Sequence, residues 1–446
     1  MAPSFITPNG IIKLSKSIHR KELIVIYRQE ILKDIRLFTS QPVAKFYDSL
    51  FLNLDLSFVP EFPKTGRKGF SNHAMICSFI VMKCEGFSMI SDLVDYLHNN
   101  LLIAHFCGFD ISRPLPSYWT FDRFLKNFDN KVLSKIMKTQ VLFLSKEGIV
   151  DTSFIGLDST PVSANTSQNN PKSFLSNKFK PGNQPRADSD CRLGVHTASN
   201  QTNEKKYEFY WGYKNHVLVD CISGLPIYEM TTTAEVHDAT VALDILAATH
   251  SFQPITDCIF LADKGYDVKN IYNQVKELYN GECIIPLNKR NTKNPKLLPQ
   301  GNPICEAGLA MWKDGKFSDC GRTRQKFCCP LKSSKDTLCP CHHKNFYNGK
   351  KHRGCTRYLT IPDDLRLSID RDSKYFKSNY SLRTECERYN SRFKNTGQER
   401  MWVRNKASVT NLNTLAHISL LAVAVAAITS HSGQSYRKLK TIKRIA

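Results

Sequence analysis

Two short apolar segments that each end in an aspartate constrain the fold of this chain more than any other feature. SFIGLD (153–158) and DCIFLAD (257–263) have the length and composition of buried strands. The surrounding pattern predicts further elements, in chain order two or three strands over 207–233, a helix over 237–250, a helix over 268–280 and a strand over 282–287. Strands that alternate with helices in this way predict an α/β domain with a mixed sheet flanked by helices.

The two terminal aspartates, Asp158 and Asp263, are candidates for a metal site. In an open α/β sheet the strand ends line the binding crevice. Two acids placed there can share a divalent ion, because hard cations such as Mg²⁺ prefer oxygen ligands and retain room for phosphate oxygens. Alternatively, each aspartate is only a turn former or the N-cap of the next helix.

A later segment, YSLRTECERYNSRFK (380–394), supplies a candidate third acid. On a helix with about 100° per residue, four of its polar residues share a wedge of roughly 60°: Tyr380, Arg383, Glu387 and Lys394. Most of the apolar residues lie on nearly the opposite side. The polar face combines one carboxylate with two cations and a phenol, which suits an anionic ligand. The alternative is an amphipathic surface helix with ordinary ion pairs.

Glu385 is the competing candidate for the third acid, since it lies only two residues from Glu387. On a helix the two side chains point about 200° apart, so only one can face the site. Glu387 shares its face with Arg383 and Lys394, and we therefore expect Glu387 to be the third acid. Two ions held by three carboxylates would activate a water or hydroxyl and stabilise the leaving oxygen of an in-line phosphoryl displacement.

The net charge of the chain indicates the class of its partner. With 62 Lys and Arg against 40 Asp and Glu, the formal charge is +22. An excess of this size favours a polyanionic partner, and nucleic acid is the most economical one. A generally basic, ribosome-like protein or a protein that faces anionic membranes is the alternative. The sequence contains no P-loop and no H-E-x-x-H motif, so neither a nucleotide cofactor nor zincin chemistry is expected.

Three motifs resemble those of bacterial insertion-sequence transposases with an RNase H-like DDE catalytic core. The residues Tyr380, Arg383, Glu387 and Lys394 match the Y-x2-R-x3-E-x6-K signature of that family. GLDST (156–160) resembles its first acidic motif, and LADKGYD (261–267) resembles its second. The resemblance covers roughly residues 150–430, and the predicted order of strands and helices also resembles the RNase H-like core.

The resemblance implies a DNA transposase that binds the inverted-repeat ends of its own element and catalyses strand cleavage and strand transfer. It implies Asp158, Asp263 and Glu387 as the metal-binding triad, for two Mg²⁺ ions or Mn²⁺ in their place. It also implies that Tyr380, Arg383 and Lys394 hold the DNA end near the scissile phosphate. Arginine can fork onto a phosphate, and lysine can act as a mobile point charge.

The partners expected from this resemblance are double-stranded DNA, as transposon ends and as target, and a second copy of the chain. A homodimer is expected because two ends must be held together. Two other functions stay open. One is an RNase H-like nuclease or resolvase that cuts structured nucleic acid without joining it. The other is a catalytically inactive, transposase-derived DNA-binding repressor.

The pattern along the chain predicts four regions. Residues 1–150 are expected to form an all-helical domain, with helices over 71–86, 88–99 and 120–128, that binds DNA or is a plain helical bundle. The RNase H-like catalytic domain is expected over 151–287 and 375–430. A Cys-rich basic insertion (288–374) would interrupt it before the last catalytic helix, and a basic tail (431–446) would follow it.

The insertion holds seven of the fifteen cysteines, and from Lys289 to Arg357 it carries sixteen cations against four acids. Its thiols and histidines could form a structural Zn²⁺ site: Cys305, Cys320, Cys328, Cys329, Cys339, Cys341, Cys355, His342, His343 and His352. Clean C-x2-C pairs are missing, so reduced cysteines in a small β-rich insertion are the alternative. Trp312 is a candidate for stacking on a base near the cleaved end, or else packs the insertion's own core.

Three further residues are weaker candidates for the site. Lys214 is a candidate phosphate contact, and it lies in GYKNH together with His216. His237 lies in EVHDAT. Both histidines lie near the predicted site by topology, although a single histidine is more often structural.

The sequence also predicts a location. We find no secretory signal, and fifteen cysteines without one favour reduced thiols or metal ligands in a bacterial cytoplasm, with nucleoid association when DNA is bound. The most apolar run, ISLLAVAVAAI (418–428), is too short by itself to span a bilayer and is expected to be a buried helix.

Overall fold

The computed structural model describes ten stretches of the chain: residues 5–7, 10–12, 42–62, 69–199, 205–288, 297–298, 301–319, 322–332, 355–360 and 365–430. The predicted basic tail (431–446) lies outside these residues. Contacts group the chain into two compact units. The first comprises Met1–Gln140, Thr396–Val403 and Ala407–Ala446, and the second comprises Val141–Asn395 and Arg404–Lys406.

Helices dominate the described part of the first 150 residues. They are α1 (Pro42–Leu52), α2 (Asn72–Glu85), α3 (Ile90–Asn99), α4 (Leu101–Phe106), α5 (Tyr118–Asn127) and α6 (Asn130–Lys146). Ser71 caps α2 through its hydroxyl, and Gly86 ends the helix in the left-handed conformation (φ +77°) that glycine adopts without strain. The helices predicted over 71–86, 88–99 and 120–128 are therefore present, the last beginning two residues early.

The prediction of an all-helical N-terminal region is wrong at its beginning. Strands β1 (Phe5–Thr7) and β2 (Gly10–Ile12) pair antiparallel, with Phe5 opposite Ile12. The sequence between and around them, FITPNGII, combines β-branched residues with a Pro-Asn-Gly turn composition, which favours a hairpin over a helix.

A six-stranded mixed sheet forms the core of the second unit. Its strands are β3 (Phe154–Ser163), β4 (Arg192–Ser199), β5 (Lys205–Asp220), β6 (Pro226–Thr233), β7 (Ile259–Ala262) and β8 (Glu282–Ile284). Helix α7 (Asp238–His250) follows β6, and α8 (Lys269–Tyr279) follows β7. Each predicted strand and helix of this region is thus confirmed, with ends shifted by a few residues.

The strand order identifies the core as RNase H-like. The sheet runs β4-β5-β3-β7-β8, and β6 pairs with the second half of β5. β5 is antiparallel to β3, whereas β7 runs parallel to β3 and to β8. Without β4, the five predicted strands have the spatial order third, second, first, fourth, fifth. This arrangement puts the first and fourth strands, which carry the two aspartates, side by side.

Strand β4 was not predicted. It pairs antiparallel with the first half of β5, opposing Arg192 to Gly212. Its sequence, RLGVHTAS, contains a glycine and a histidine and is not an apolar run. Gly194 is required there, because a Cβ would lie 2.6 Å from the side chain of Ala234. A strand at the edge of a sheet that carries glycine gives a weak pattern, since its stability comes from pairing.

The described part of the insertion is a three-stranded antiparallel sheet, as its β-rich alternative predicted. Its strands β9 (Trp312–Asp319), β10 (Arg322–Cys328) and β11 (Thr356–Thr360) lie in the order β11-β10-β9. Met311, Phe327 and Cys305 are buried together at its base. The insertion therefore has a small apolar core of its own.

After the insertion the chain returns to the edge of the large sheet. It forms α9 (Leu365–Ser368), α10 (Lys374–Ser381) and α11 (Thr384–Phe393), followed by a π-helical turn (Lys394–Gln398). The buried Arg371 fixes the return, since its Nε donates to the carbonyl of Ile285 at 2.9 Å. Tyr375 Oη donates to Glu282 Oε2 at 2.8 Å on β8. These contacts hold α10 against the sheet.

The single helix predicted over 380–394 is two helices. The chain turns at Leu382 and Arg383, between α10 and α11, and both residues keep helical backbone angles. The apolar side of α11 is buried as predicted, at Cys386, Tyr389 and Phe393. The turn interrupts the segment between α10 and α11, so the predicted wedge does not describe one continuous helix.

The long C-terminal helix α12 (Lys406–Thr429) clusters with the first unit, apart from its first residue. Its polar residues bond there: Asn411 Nδ2 donates to the carbonyls of Leu125 and Phe128, each at 2.8 Å. The predicted catalytic segment 375–430 is thus divided between the two units at residue 396. The prediction followed the sequence motifs, which do not report the packing of α12.

Helix α12 has 24 residues and is long and apolar enough to cross a membrane by length and composition. It extends well beyond the eleven-residue run that the sequence analysis considered too short. Within its most apolar window 89% of the residues are buried inside the protein. A helix that is apolar on all sides and covered by protein is typical of a domain core.

Candidate active site

The register between β3 and β7 brings Asp158 and Asp263 together. These strands pair in parallel, with Leu157 opposite Ala262. Asp158 and Asp263 each follow by one residue, so they occupy equivalent positions on neighbouring strands. Asp263 also caps the turn Lys264–Tyr266, and its Oδ1 accepts from the Gly265 N–H at 2.7 Å. Asp263 therefore also has the capping role, through its Oδ1.

Helix α11 packs directly on β3 and brings the third motif to the aspartates. Gly156 lies two residues before Asp158, and a Cβ there would lie 2.3 Å from Cys386 Sγ and 2.7 Å from Cys221 Sγ. The two sulfurs are 3.9 Å apart and buried. The close approach of helix and strand therefore depends on the missing side chain of Gly156.

Arg383 connects the first and third acids. Its Nη1 donates to Glu387 Oε1 at 2.7 Å, and its Nη2 lies 3.6 Å from Asp158 Oδ2. Its Nε is buried and makes no hydrogen bond to the described residues. The guanidinium thus neutralises two carboxylates and keeps one N–H for a further acceptor.

Glu387, and not Glu385, faces the two aspartates. Glu385 is 11% exposed and pairs with Arg388, one turn along α11. The Glu387 side chain is 60% exposed and reaches Asp158 through Arg383. The structure therefore identifies the same acid as the helical angles used in the sequence analysis.

The environment of Asp158 favours its protonated form. Burial raises the pKa of Asp158 to about 6, with the Arg383 guanidinium and the Ser159 N–H lowering it and the carboxylates of Asp263 and Glu387 raising it. A carboxyl that resists ionisation gains from a bound cation, because the cation offsets the loss of water. The influence of all three acids on one pKa also shows that they share one local field.

Two residues of the site were missed by the sequence analysis. Asn390 Nδ2 donates to Asp158 Oδ2 at 3.0 Å, while its Oδ1 is buried without a partner among the described residues. Asn390 lies about 20° outside the predicted wedge, so a slightly wider wedge finds it. Tyr266 is fully buried, and its hydroxyl has no hydrogen-bond partner in the described structure. Burial raises its pKa, and so do Asp238, Asp158 and Asp263.

Tyr380 belongs to the same group. Burial raises the pKa of Tyr380, Arg383 lowers it, and Asp263, Glu387 and Asp158 raise it. Its ring stacks on Phe376, with centroids 5.8 Å apart, which fixes its orientation on α10. The sequence-predicted set of Asp158, Asp263, Glu387, Arg383 and Tyr380 is thus brought together.

The donor set fits a hard divalent cation, although the described side chains are not arranged as a finished metal site. Across the described stretches, no group of three or more His, Cys, Asp or Glu residues is close enough to hold a metal. Arg383 lies between two of the acids instead. Three carboxylates, together with the partnerless oxygens of Asn390 and Tyr266, supply the oxygen chemistry that Mg²⁺ prefers.

The other predicted DNA contacts lie in different surroundings. Lys394 follows α11 and has no ion-pair partner within the described part of the chain. Trp312 is 59% exposed on β9, so it does not fill the core of the insertion. Lys214 is turned inward, and its Nζ donates to Asp238 Oδ1 and to the carbonyl of Val236, each at 2.9 Å. Its predicted phosphate contact is replaced by an internal ion pair.

The two candidate histidines have structural partners. His216 is buried, and its Nε2 lies 2.9 Å from Thr232 Oγ1. Burial lowers the pKa of His216 to about 4, with Asp238 opposing and Lys214 reinforcing this shift. His237 caps α7 through Nδ1 and lines a pocket of about 400 Å³ beside Gly265.

The described thiols of the insertion are not arranged as a zinc site. Cys305, Cys328, Cys329 and Cys355 are free thiols, and all but Cys328 lie in or beside small apolar clusters. Cys320, Cys339, Cys341, His342, His343 and His352 lie outside the described residues. Zn²⁺ binding by the insertion therefore has no support in the described part.

Two models of known protein families match the chain. Residues 150–422 match the family model described as "Transposase DDE domain", and residues 38–127 match a second model described as a transposase domain. No curated protein sequence matches the chain significantly.

Two solved structures are similar to the chain at low identity. One is the piggyBac transposase synaptic complex with hairpin DNA, at 11% identity and a TM-score of 0.37, covering 91% of this chain and 75% of that one. The other is the Mos1 transposase paired-end complex with left transposon end, at 14% identity and a TM-score of 0.16, covering 60% and 78%. The DDE family match spans more than half of the chain and includes both aspartates and Glu387. The chain belongs to the family of transposases with a DDE domain.

Proposed function

We propose that Asp158, Asp263 and Glu387 form the active site with which this transposase cuts the ends of its element and joins them to target DNA. The observation that carries the proposal is the register of β3 and β7, which makes two acids from distant motifs neighbours. Helix α11 adds the third acid through Arg383. Hydrolysis would release a 3′-hydroxyl, and transesterification by that hydroxyl would join the strand to the target.

The three carboxylates would hold the divalent ions that DDE transposase domains generally use. Bound Mg²⁺, or Mn²⁺ in its place, would polarise the scissile phosphodiester and lower the pKa of the attacking water or hydroxyl. Asn390 would orient the Asp158 carboxylate through its hydrogen bond. Arg383 would leave the carboxylates as the ions enter and turn its donors to the phosphate.

The strand end would be held beside the acids by Tyr380, Arg383 and Lys394. The stacked ring of Tyr380 and the partnerless Nε of Arg383 support this assignment. The exposed Trp312 would contact DNA from the insertion, whose sixteen cations favour the same partner. Lys214 is left out of this set because its ammonium is paired with Asp238.

The remaining parts of the proposal concern assembly and place. The helical region 1–150 would bind the inverted repeats, the insertion 288–374 would lie along the DNA, and the tail 431–446 would add basic contacts. Two chains would act together, since two ends must be cut and joined in one complex. The protein would work in a bacterial cytoplasm, on the nucleoid when bound to DNA.

The test is a joining assay with DNA that flanks this reading frame. Fragments that carry the flanks would be incubated with supercoiled plasmid and Mg²⁺ or Mn²⁺, and products would be sequenced. We expect cleavage at the repeat boundaries and insertion of the 3′ ends, both lost in Asp158→Asn and Asp263→Asn.

The same assay separates the other candidate functions. Cleavage of branched or hybrid nucleic acid with no joining and no preference for the flanks would indicate a nuclease or resolvase. Binding of the flanks without cleavage by the wild-type chain would indicate an inactive, repressor-like copy. Either result would overturn the proposal.

A further inference from the structure

The loop between β3 and β4, residues 164–191, leads away from the strand that carries Asp158. Between Asp158 and Asp188 the chain contains no acidic residue. Four cations lie in that interval: Lys172, Lys178, Lys180 and Arg186. The loop ends with Asp188 and Asp190, so it carries a net charge of +2, and all four of its cations precede these acids.

The base of the loop is fixed to the sheet. Trp211 is buried on β5, and its Nε1 donates to the carbonyl of Lys178 at 2.8 Å. Asn169 Nδ2 donates to the carbonyl of Ala164 at 2.9 Å, and Asn169 Oδ1 accepts from the Trp211 N–H at 2.9 Å. Tyr213 Oη donates to Asp188 at 2.8 Å near the other end. The loop thus has a built shape.

This fixed loop presents its apolar tip to solvent. Phe174 is completely exposed (102%), and the neighbouring Leu175 is 51% exposed. Burial of a side chain of this size stabilises a fold by about 1.5–3 kcal/mol. The chain does not gain this stabilisation from Phe174, because the side chain stays in solvent. Lys172, Lys180 and Arg186 are exposed in the same loop. An exposed aromatic side chain in a loop with exposed cations complements a stack of bases between phosphates.

The loop starts at the end of β3, beyond Asp158 along the strand. Strand β3 continues five residues beyond Asp158, to Ser163, which pairs with Gly212. At about 3.4 Å per residue, this places the start of the loop roughly 17 Å from the acid. A loop that starts this far from the acid can contact duplex several base pairs away from a phosphate held at Asp158.

We propose that Phe174, supported by Leu175, inserts between neighbouring base pairs of the duplex held at the active site. Lys172, Lys180 and Arg186 would contact the flanking phosphates. Apolar wedges of this kind partly unstack a base step and kink the duplex, which allows more of it to follow the protein surface. The inference rests on the proposed function for its substrate, and it adds an element that bends DNA on the catalytic unit.

The test uses 2-aminopurine, a base whose fluorescence rises when it is unstacked. Fragments with the end sequence would carry it at successive positions from the third to the tenth base pair inside the cut. The wild-type chain is expected to raise the signal at one step within this range. Phe174→Ala should abolish the rise and weaken binding about tenfold, whereas Phe174→Trp should retain the rise.

Leu278→Ala is the matched control, because Leu278 is 65% exposed on α8 of the same unit and lies outside the loop. It should behave as wild type. The proposal is overturned if the wild-type chain cuts the end but raises no signal at any position. It is also overturned if Phe174→Ala changes only the mass of the DNA-free assembly, because the tip would then be a protein interface. A wild-type chain that neither binds nor cuts the end would overturn the proposed function as well.

Discussion

Asn390 Nδ2 donates a hydrogen bond to Asp158 Oδ2 at 3.0 Å, which joins the helix of the third acid to the strand of the first. The bond leaves the second carboxylate oxygen to the Ser159 N–H, also at 3.0 Å. Asp158 is therefore held in one orientation by neutral donors as well as by Arg383. Residues that orient a metal ligand in this way contribute to the geometry of the site without touching the substrate.

Asn390→Ala should lower the cleavage rate about 10- to 100-fold, as expected when a bond that orients a metal ligand is removed. The Mn²⁺ concentration for half-maximal activity should rise as well, which loss of stability alone would not cause. Single-turnover cleavage against a Mn²⁺ titration measures both. Asn395→Ala, an exposed asparagine just after α11, is the control and should match wild type. A rate within twofold of wild type for Asn390→Ala would contradict the assignment.

Gly156→Ala should disturb the packing of α11, which carries Glu387, against β3, which carries Asp158. The added methyl would lie 2.3 Å from Cys386 Sγ, so α11 must move away from β3 or the site must absorb strain. Overpacking of this kind costs about 1–3 kcal/mol. The free energy of unfolding, measured in urea, and the rate of end cleavage should both decline.

The double variant Gly156→Ala/Cys386→Ala removes the closer of the two clashes and leaves the one with Cys221 Sγ, so it should recover part of both losses, with Cys386→Ala as its reference. If the double variant is no better than Gly156→Ala, contact with the sulfur does not set the distance between helix and strand.

The raised pKa of Asp158 predicts a dependence of stability on pH. Its folded pKa of about 6 lies above the ordinary aspartate value of about 3.9, so the folded chain holds this proton more tightly than the unfolded chain. The free energy of unfolding should therefore fall as pH rises from about 4 to 6, by about 2 kcal/mol from this group.

Asp158→Asn lacks this titrating group. Its free energy of unfolding should therefore rise relative to that of the wild type across that pH interval, measured in EDTA. Urea unfolding at pH 4, 5, 6 and 7 measures the difference between the two chains. A difference that stays constant from pH 4 to 7 would contradict the burial argument.

Variants of two lysines distinguish a residue that contacts DNA from one that stabilises the fold. Lys394 has no ion-pair partner among the described residues, so Lys394→Ala should reduce the slope of log K against log[salt] by about 0.9 for the lost phosphate contact. Lys214 holds Asp238, so Lys214→Ala should leave the slope unchanged and lower the free energy of unfolding by about 2 kcal/mol. Salt titrations of DNA binding, with urea unfolding, measure both. Exchanged results for the two variants would refute the distinction.

The sequence was sufficient for the catalytic core because its strands are apolar, short and bounded by turns. β3 and β7 could be recognised from SFIGLD and DCIFLAD, and the spacing of Tyr380, Arg383 and Glu387 placed the third acid. Periodicity reports which face of an element is buried, so it also identified the buried side of α11.

Features that depend on tertiary contacts could not be read from the sequence. β4 exists because it pairs with β5, the turn at Leu382–Arg383 divides a segment that is helical by pattern, and α12 packs with the first unit. The inward turn of Lys214 depends on Asp238, twenty-four residues away. The pairing of β4, the packing of α12 and the ion pair of Lys214 leave no local pattern, because each depends on a partner distant in the chain.

The central claim is that Asp158, Asp263 and Glu387 act as one metal-dependent site, and the comparison of Glu387→Gln with Glu385→Gln tests it most directly. Single-turnover cleavage of a flank-derived DNA end would be measured with Mg²⁺, with Mn²⁺ and with EDTA. We predict that Glu387→Gln lowers the metal-dependent rate more than about 100-fold, beyond the loss typical of residues that only orient a ligand. Glu385→Gln, which loses only its pair with Arg388, should stay within about tenfold of wild type. Equal losses in both variants, or cleavage by the wild-type chain in EDTA, would contradict the account.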